Sequence, residues 1–172
     1  MEDRPIKDMQ RMSETTLFTS FASDGTVRSA SVEIGIETAR TNDMIDVTDH
    51  VRAAVAEADV TEGMTLVATP HTTCAVIVNE NELGFMRDFA RALERLAPED
   101  AHYEHNDAPH DEEDEAPNGY AHIRSAFLSS PSVMLPIREN VLALGRWQRI
   151  FLVELDRSRP RRLQITVLGR AG

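Results

Sequence analysis

MTLVATPHTTCAVIVNENE, residues 64–82, is the stretch whose reading decides the fold. MTLVAT and CAVIV are short, continuous apolar runs rich in β-branched residues, and only PHTT separates them. They read as two buried strands joined by a turn or an irregular bend. Pro70, His71, Thr72 and Thr73 occupy the bend, while Asn79, Glu80, Asn81 and Glu82 close the second strand. The apolar centre belongs to a core, and the polar groups at its two ends belong to separate surfaces. If the two runs form a simple hairpin, strand rise puts His71 and Glu80 roughly 25 to 30 Å apart. Glu80 is then either structural or part of a site completed by a neighbouring subunit. Glu82 and its neighbours, just before a helix starting near Gly84, suit an N-cap with acidic groups at the positive end of the helix dipole.

Upstream, SVEIGIET (31–38) alternates, with Val32, Ile34 and Ile36 on one face, and predicts a half-covered strand. VTDHVRAAVAEAD (47–59) predicts a helix with Thr48 capping its first turn and Val51, Val55 and Ala58 on one stripe, and Gly63 ends the connection that follows. Residues 1–29 show no clear period and read as an extension or an added strand, leaving 30–172 as the domain.

Downstream, GFMRDFARALERLAP (84–98) is a strong helix candidate. Phe85, Phe89, Leu93 and Leu96 keep helical spacing, and Pro98 closes it. Arg87, Arg91 and Arg95 line another face, where a solvated stripe paired with Asp88 and Glu94 is favoured over phosphate binding. Residues 98–119 hold three prolines and a DEEDE block, so they form a long irregular segment whose acidic part, 106–117, belongs in water. GYAHIRSAFLSS predicts a short helix, and SVMLPI, VLALG, RIFLVELD and RLQITVLG predict strands. The sum is a single α+β domain, mainly an antiparallel β-sheet sandwich with a few packed helices.

A chain of 172 residues suffices for one domain. It carries 29 acidic against 18 basic residues, a net charge of -11, with Lys7 as the single lysine, which suits a high-salt cytoplasm or a GC-rich genome. That balance argues against general binding to nucleic acid or anionic lipid and favours a small-molecule ligand. The sequence has no apolar run of membrane length, and MEDRPIKDMQRM lacks the apolar core of a secretory signal, so a cytoplasmic location is expected. The lone Cys74 rules out an internal disulfide and a Cys-rich zinc site within one chain.

Chemistry centres on the histidines. His50 at a helix start and His110 in the acidic loop read as ordinary polar residues. His71 follows a strand, His105 lies in the long loop and His122 opens a helix, the element ends on which open sites are built. Three imidazoles converging there would suit a divalent ion, zinc first, with water or substrate in the remaining position, although neither HxxxH nor HExxH spacing is present. In LGRWQRIF, Gly145 permits a tight turn, and Trp147 serves equally as a core anchor or as a stacking surface with the Gln148 amide beside it.

PHTTCAVIVNENE, YEH, AHIRSAF and LPI…LALGRWQRIFLVELD…RRLQITVLG together resemble the YjbQ-like family, whose members commonly carry the name secondary thiamine-phosphate synthase. The similarity runs in order over residues 31–169. It implies a compact α+β sandwich, a homotrimer and a polar cleft holding His71, His105 and His122 as the metal set. Glu80 joins His71 as a catalytic candidate, with Trp147 and Gln148 as neighbours. Arg146 stands where the family usually has a small residue, and the acidic loop is longer than usual.

The transferase reading joins a pyrimidine methyl diphosphate to a thiazole phosphate with release of pyrophosphate. It needs cations on the leaving group and a planar surface for the ring, roles for Arg124, Arg146 and Trp147 beside a histidine-bound ion. The alternative is a metal-dependent hydrolase or a small-ligand-binding homotrimer, with zinc-bound water on the three histidines and Glu80 as base. A third reading is an interaction protein whose trimer is its whole function.

Overall fold

A computed structural model describes residues 12–15, 27–107, 117–128 and 131–171. In chain order the elements are β1 (Met12–Thr15), β2 (Val27–Glu37), β3 (Asp43–Asp46), α1 (Thr48–Ala58), β4 (Val60–Ala68), β5 (Cys74–Glu80) and α2 (Leu83–Leu96). A 3-10 turn (Glu104–Asp107), α3 (Gly119–Phe127), β6 (Ser132–Arg138), β7 (Val141–Leu142), β8 (Gln148–Glu154) and β9 (Pro160–Ala171) follow. The strands form a six-stranded sheet, β1-β2-β9-β4-β6-β7, and a three-stranded sheet, β3-β8-β5. All pairings are antiparallel. The α+β class is therefore as expected.

The two apolar runs of the deciding stretch are not a hairpin. β4 lies in the large sheet between β9 and β6, whereas β5 pairs with β8 in the small one. PHTT is thus a crossing from sheet to sheet. The difference is visible in burial: Thr65 and Val67 face inward on β4 while Met64 is exposed, whereas Cys74, Ala75 and Val76 are buried in succession. The small sheet is covered on both faces. One face packs Cys74, Val76, Ile150 and Leu152 against the large sheet and α1. The other packs Ala75, Phe151 and Val153 against Leu93 of α2 and Tyr120 and Ala121 of α3. A strand covered twice has no polar face to alternate with, hence the unbroken apolar runs in β5 and β8.

Local expectations need two corrections. Thr48 does not cap α1. Its hydroxyl accepts from the Ile150 N–H at 2.8 Å, tying the helix to β8, and the Thr48 N–H donates to Asp46 Oδ1 at 3.0 Å. Burial pushes the Asp46 carboxyl up, but the bonds from Thr48 and the Arg149 guanidinium together outweigh it and leave the carboxyl below its ordinary range. Gly63 is not a terminator but an interior residue of β4. A Cβ there would stand 2.2 Å from the Leu168 carbonyl oxygen, so the two backbones approach too closely for a side chain.

α2 forms where its pattern predicts, with Phe85, Phe89 and Leu93 packed on the core, but Leu96 is exposed and Glu94 pairs with Arg124 instead of the arginine stripe. Glu82 caps it by accepting from the Gly84 and Phe85 N–H groups at 2.6 and 2.8 Å, and these bonds hold its carboxyl below the usual range. Arg91 pairs with Asp88 on the exposed stripe. Strand Met12–Thr15 lies beside β2, within residues 1–29. His110 and residues 108–116 of the acidic loop lie outside the described residues.

Candidate functional site

The crossing from β4 to β5 is stiffened from several sides. β4 pairs with β9 up to Ala68 opposite Gln164. Beyond that end, Arg162 of β9 still stands opposite Gly35 of β2 but has no β4 residue on its other side, and there the bend supplies side chains instead. Thr69 Oγ1 donates to the Arg162 carbonyl at 3.1 Å, and the Arg162 N–H donates to His71 Nε2 at 2.9 Å. The Thr69 N–H also reaches the Pro131 carbonyl at 2.7 Å, and the Leu155 N–H reaches the Thr73 carbonyl at 3.1 Å.

α3 brings the second imidazole. His122, Ser125 and Ala126 share a face by helical spacing, and the Ser125 hydroxyl donates to the Cys74 carbonyl at 3.0 Å. That face and the bend enclose an open cleft of about 530 Å³ whose wall includes Thr69, His71, His122, Ser125 and Pro131. The third imidazole arrives on the 3-10 turn. Gly119 allows the turn to close on α3, since a Cβ there would stand 2.5 Å from Tyr103 Cβ, and its N–H donates to Asn106 Oδ1 at 2.9 Å. The His105 ring lies edge-on to His122, with centroids 4.5 Å apart. Three distant segments thus bring His71, His105 and His122 to one region.

Behind the rings lies a network that sequence reading missed. Arg161 donates through Nε and Nη2 to both oxygens of Glu154 at 2.6 Å, and its Nη2 also reaches Thr73 Oγ1 at 3.1 Å. Glu154, fully buried, accepts further from Thr38 Oγ1 and the Asp156 N–H at 2.9 and 3.0 Å. Asp156, also buried, accepts from Asn118 Nδ2 at 3.3 Å, and Arg159 Nη2 lies 3.3 Å from the same oxygen, within ion-pair reach but out of hydrogen-bond alignment. With its amide nitrogen directed to the carboxylate, Asn118 presents Oδ1 to His105 Nε2 at 3.2 Å. An amide oxygen only accepts, so His105 carries a proton on Nε2. The one signal for this network is DRSRPRR (156–162), an arginine-rich connection between two apolar strands.

Burial, then the Arg161 and Arg162 charges and, less strongly, Arg159, hold the His71 imidazole below its ordinary range, against a smaller opposing pull from Glu154. Burial and Glu154 push the Cys74 thiol up to about 12, which makes it a core residue and not a nucleophile.

Other candidates lie elsewhere. Glu80 is exposed at the far end of β5, opposite Gln148, while Cys74 stands opposite Glu154 at the near end. The seven-residue strand separates the two ends by about 20 Å. Trp147 is 62% exposed, so it anchors no core, and the Arg146 guanidinium lies over its ring at 4.8 Å. Gln148 turns back, its Oε1 accepting from the Gly145 N–H at 2.8 Å. Arg124 is fully buried and engaged: it donates to the Ala97 carbonyl at 3.0 and 2.8 Å and to Asn42 Oδ1 at 3.3 Å, pairs with Glu94, and stacks on Tyr120. It clamps α3 to the end of α2. His102 pairs with Asp107 at 3.4 Å.

The expected three-histidine zinc set does not fit this geometry. His71 Nε2 has given its lone pair to a backbone N–H, and a neutral imidazole then carries its proton on Nδ1, leaving no second lone pair for an ion. Among the described residues no group of three or more His, Cys, Asp or Glu is arranged to hold a metal ion.

A β-rich α+β domain with a histidine-lined cleft at a sheet-to-sheet crossing is the class that fold and site define. The family model described as UPF0047 protein YjbQ-like matches residues 32–170, and the chain belongs to that family. It is 38% identical over 137 residues to a UPF0047 protein of Archaeoglobus fulgidus, covering 80% of this chain and 100% of that one. Against the UPF0047 protein YugU of Bacillus subtilis the identity is 31%, over 78% and 96% of the two chains. A crystal structure of a YbjQ-like protein of unknown function from Sulfolobus solfataricus P2 superposes with a TM-score of 0.76 at 32% identity, covering 83% and 99%. A hypothetical protein from Aeropyrum pernix K1 gives 0.72 at 31%, covering 81% and 98%. No helix among the described residues is long and apolar enough to cross a membrane.

Proposed function

We propose that the chain is an enzyme acting on a small phosphate-bearing substrate in the histidine cleft, in the manner of a thiamine-phosphate synthase. The observation that carries the proposal is that His71 and His122 line one cleft and His105 packs on His122. In this reaction the carbon–oxygen bond of a pyrimidine methyl diphosphate breaks, pyrophosphate leaves with the electron pair, and the thiazole phosphate nitrogen uses its lone pair to form the new carbon–nitrogen bond. The residues serve it by holding phosphate oxygens and moving protons at the rings. The test is pyrophosphate release from the two substrates together. Wild-type protein is expected to release it, and His122→Ala to lose about 100-fold or more. No release from the wild type ends the transferase reading, and release of inorganic phosphate from one substrate alone favours a hydrolase.

The proposal has the enzyme working as a homotrimer. It is supported by an exposed apolar patch on the outer face of the large sheet, with Met64, Met134 and Leu168 exposed on neighbouring strands. A neighbour's Glu80 could then reach a cleft that its own chain's cannot. Light scattering in solution should give three times the chain mass, and a monomer at micromolar concentration removes the shared site.

A further inference from the structure

We propose that His71 recognises its ligand as a neutral hydrogen-bond donor, offering Nδ1–H to a phosphate oxygen, because the Arg162 backbone N–H already occupies Nε2. The ligand class rests on the function proposed above, whereas the tautomer stands whatever the cleft binds.

The first step is donor and acceptor accounting. A backbone N–H can only donate, so Nε2, 2.9 Å from the Arg162 nitrogen, must be the acceptor. Ring orientation follows too, since a flipped imidazole would put a carbon against that N–H. With Nε2 unprotonated the neutral ring holds its hydrogen on Nδ1. The bond is not incidental, because it stands where the next ladder bond of β4 would fall, two residue pairs beyond the end of that strand's pairing with β9. Thr69 satisfies the carbonyl of the same residue, so the fold uses the bend to finish the edge of β9. Losing this acceptor would orphan the Arg162 N–H, which opposes protonation of Nε2 as the nearby guanidinium charges do.

The second step is the ligand. His71 lines the cleft, and with Nε2 bonded to the backbone, Nδ1 is the ring nitrogen left to meet a small molecule lying there. Four arginines fall within residues 157–162 of a chain whose net charge is -11. Glu154 and Asp156 lie among them, and Arg161, Arg162 and Arg159 all act on His71 as positive charge. A neutral N–H donor in a locally positive field selects an acceptor that is also an anion, and a phosphate offers more oxygens and more charge than a carboxylate. Neutrality of the ring matters for chemistry, since a neutral imidazole donates to an oxyanion without having first to lose or gain a proton.

The experiment is long-range ¹H–¹⁵N correlation of the histidine rings in the full chain at pH 7.5, with and without inorganic phosphate, and His71→Gln to assign the ring. His71 should show a protonated Nδ1 and an unprotonated Nε2, and phosphate should shift Nδ1. Gln can still accept from the Arg162 N–H but supplies no donor at the Nδ1 place, so phosphate binding should weaken about tenfold. Asn keeps an N–H near Nδ1 and loses the acceptor, so His71→Asn should weaken it only about threefold. An Nε2-protonated ring, an imidazolium at that pH, or stoichiometric zinc binding that His71→Gln abolishes would overturn the inference. Equal affinity for acetate, or unchanged phosphate affinity in His71→Gln, would overturn the ligand class. Phosphate binding at His71 without pyrophosphate release from the paired substrates would sink the transferase and leave the inference standing.

Discussion

The two ends of the β5–β8 ladder use similar residue types for different purposes. At the near end Cys74 faces Glu154 and both are buried, with Glu154–Arg161 side-chain exposures of 0% and 5%. At the far end Glu80 faces Gln148 beside a Trp147 that is 62% exposed, with Arg146 stacked on it in solvent. Carboxylate, arginine and amide occur at both ends. The difference lies in what surrounds them. Charges in water hold one another weakly and leave their side chains mobile, whereas a desolvated pair must be satisfied in full and fixes the backbone that carries it. The near end can therefore hold an imidazole in one tautomer, and the far end cannot do so alone.

The largest effect that should expose this contrast comes from breaking the buried pair. Arg161→Ala leaves Glu154 charged and unmatched, and should cost about 3–5 kcal/mol in urea denaturation. The double change Glu154→Gln with Arg161→Met should recover much of that loss; a double variant as unstable as the single one would mean that packing, not charge, holds the bend.

Next in size is the contrast between two arginines that the sequence ranked together. Arg124→Ala removes a buried guanidinium with several bonds and should destabilise by about 3 kcal/mol. Arg146→Ala, on the surface, should change stability by less than about 1 kcal/mol. Equal losses would erase the distinction between the two.

Cysteine reactivity reads the near end without mutating it. With its thiol pushed up to about 12, Cys74 should react with a disulfide reagent at pH 8 only after unfolding. Fast labelling of the folded chain would contradict the burial on which the site depends.

The smallest effect is on pH dependence. The folded His71 has a lowered pKa, so the stability it contributes is complete above the unfolded value of about 6.5 and fades as pH falls through the folded one. Arg161, Arg162, Arg159 and Glu154 are the charges that act on it. Urea midpoints from pH 7.5 to 5 should therefore drop slightly more in wild type than in His71→Asn. A drop confined to the variant would reverse the sign.

How legible was this in the sequence? Alternation in SVEIGIET and the helical spacing of Phe85, Phe89 and Leu93 report burial on one side, and burial on one side is what sheet and helix produce there. MTLVAT and CAVIV look alike because an apolar run does not say which of its faces is covered. One proved half covered and the other covered twice, and partner choice between sheets is a long-range matter that no local pattern holds. The histidines at element ends were legible as candidates by type and place. Their tautomers were not, because these depend on Arg162 and Asn118, partners separated from their rings by 91 and 13 positions. Arg124 misled for the opposite reason: an arginine two positions from a candidate histidine reads as free for a phosphate until a carbonyl and a carboxylate are found engaging it.

The most direct test is one titration with pyrophosphate, followed by the ring signals of His71 and His122 and by the indole N–H of Trp147, the single tryptophan of the chain. The predicted result is a saturable shift of both histidine rings. A shift of the indole signal with both rings unmoved would place the ligand at the solvent-exposed end and contradict the account.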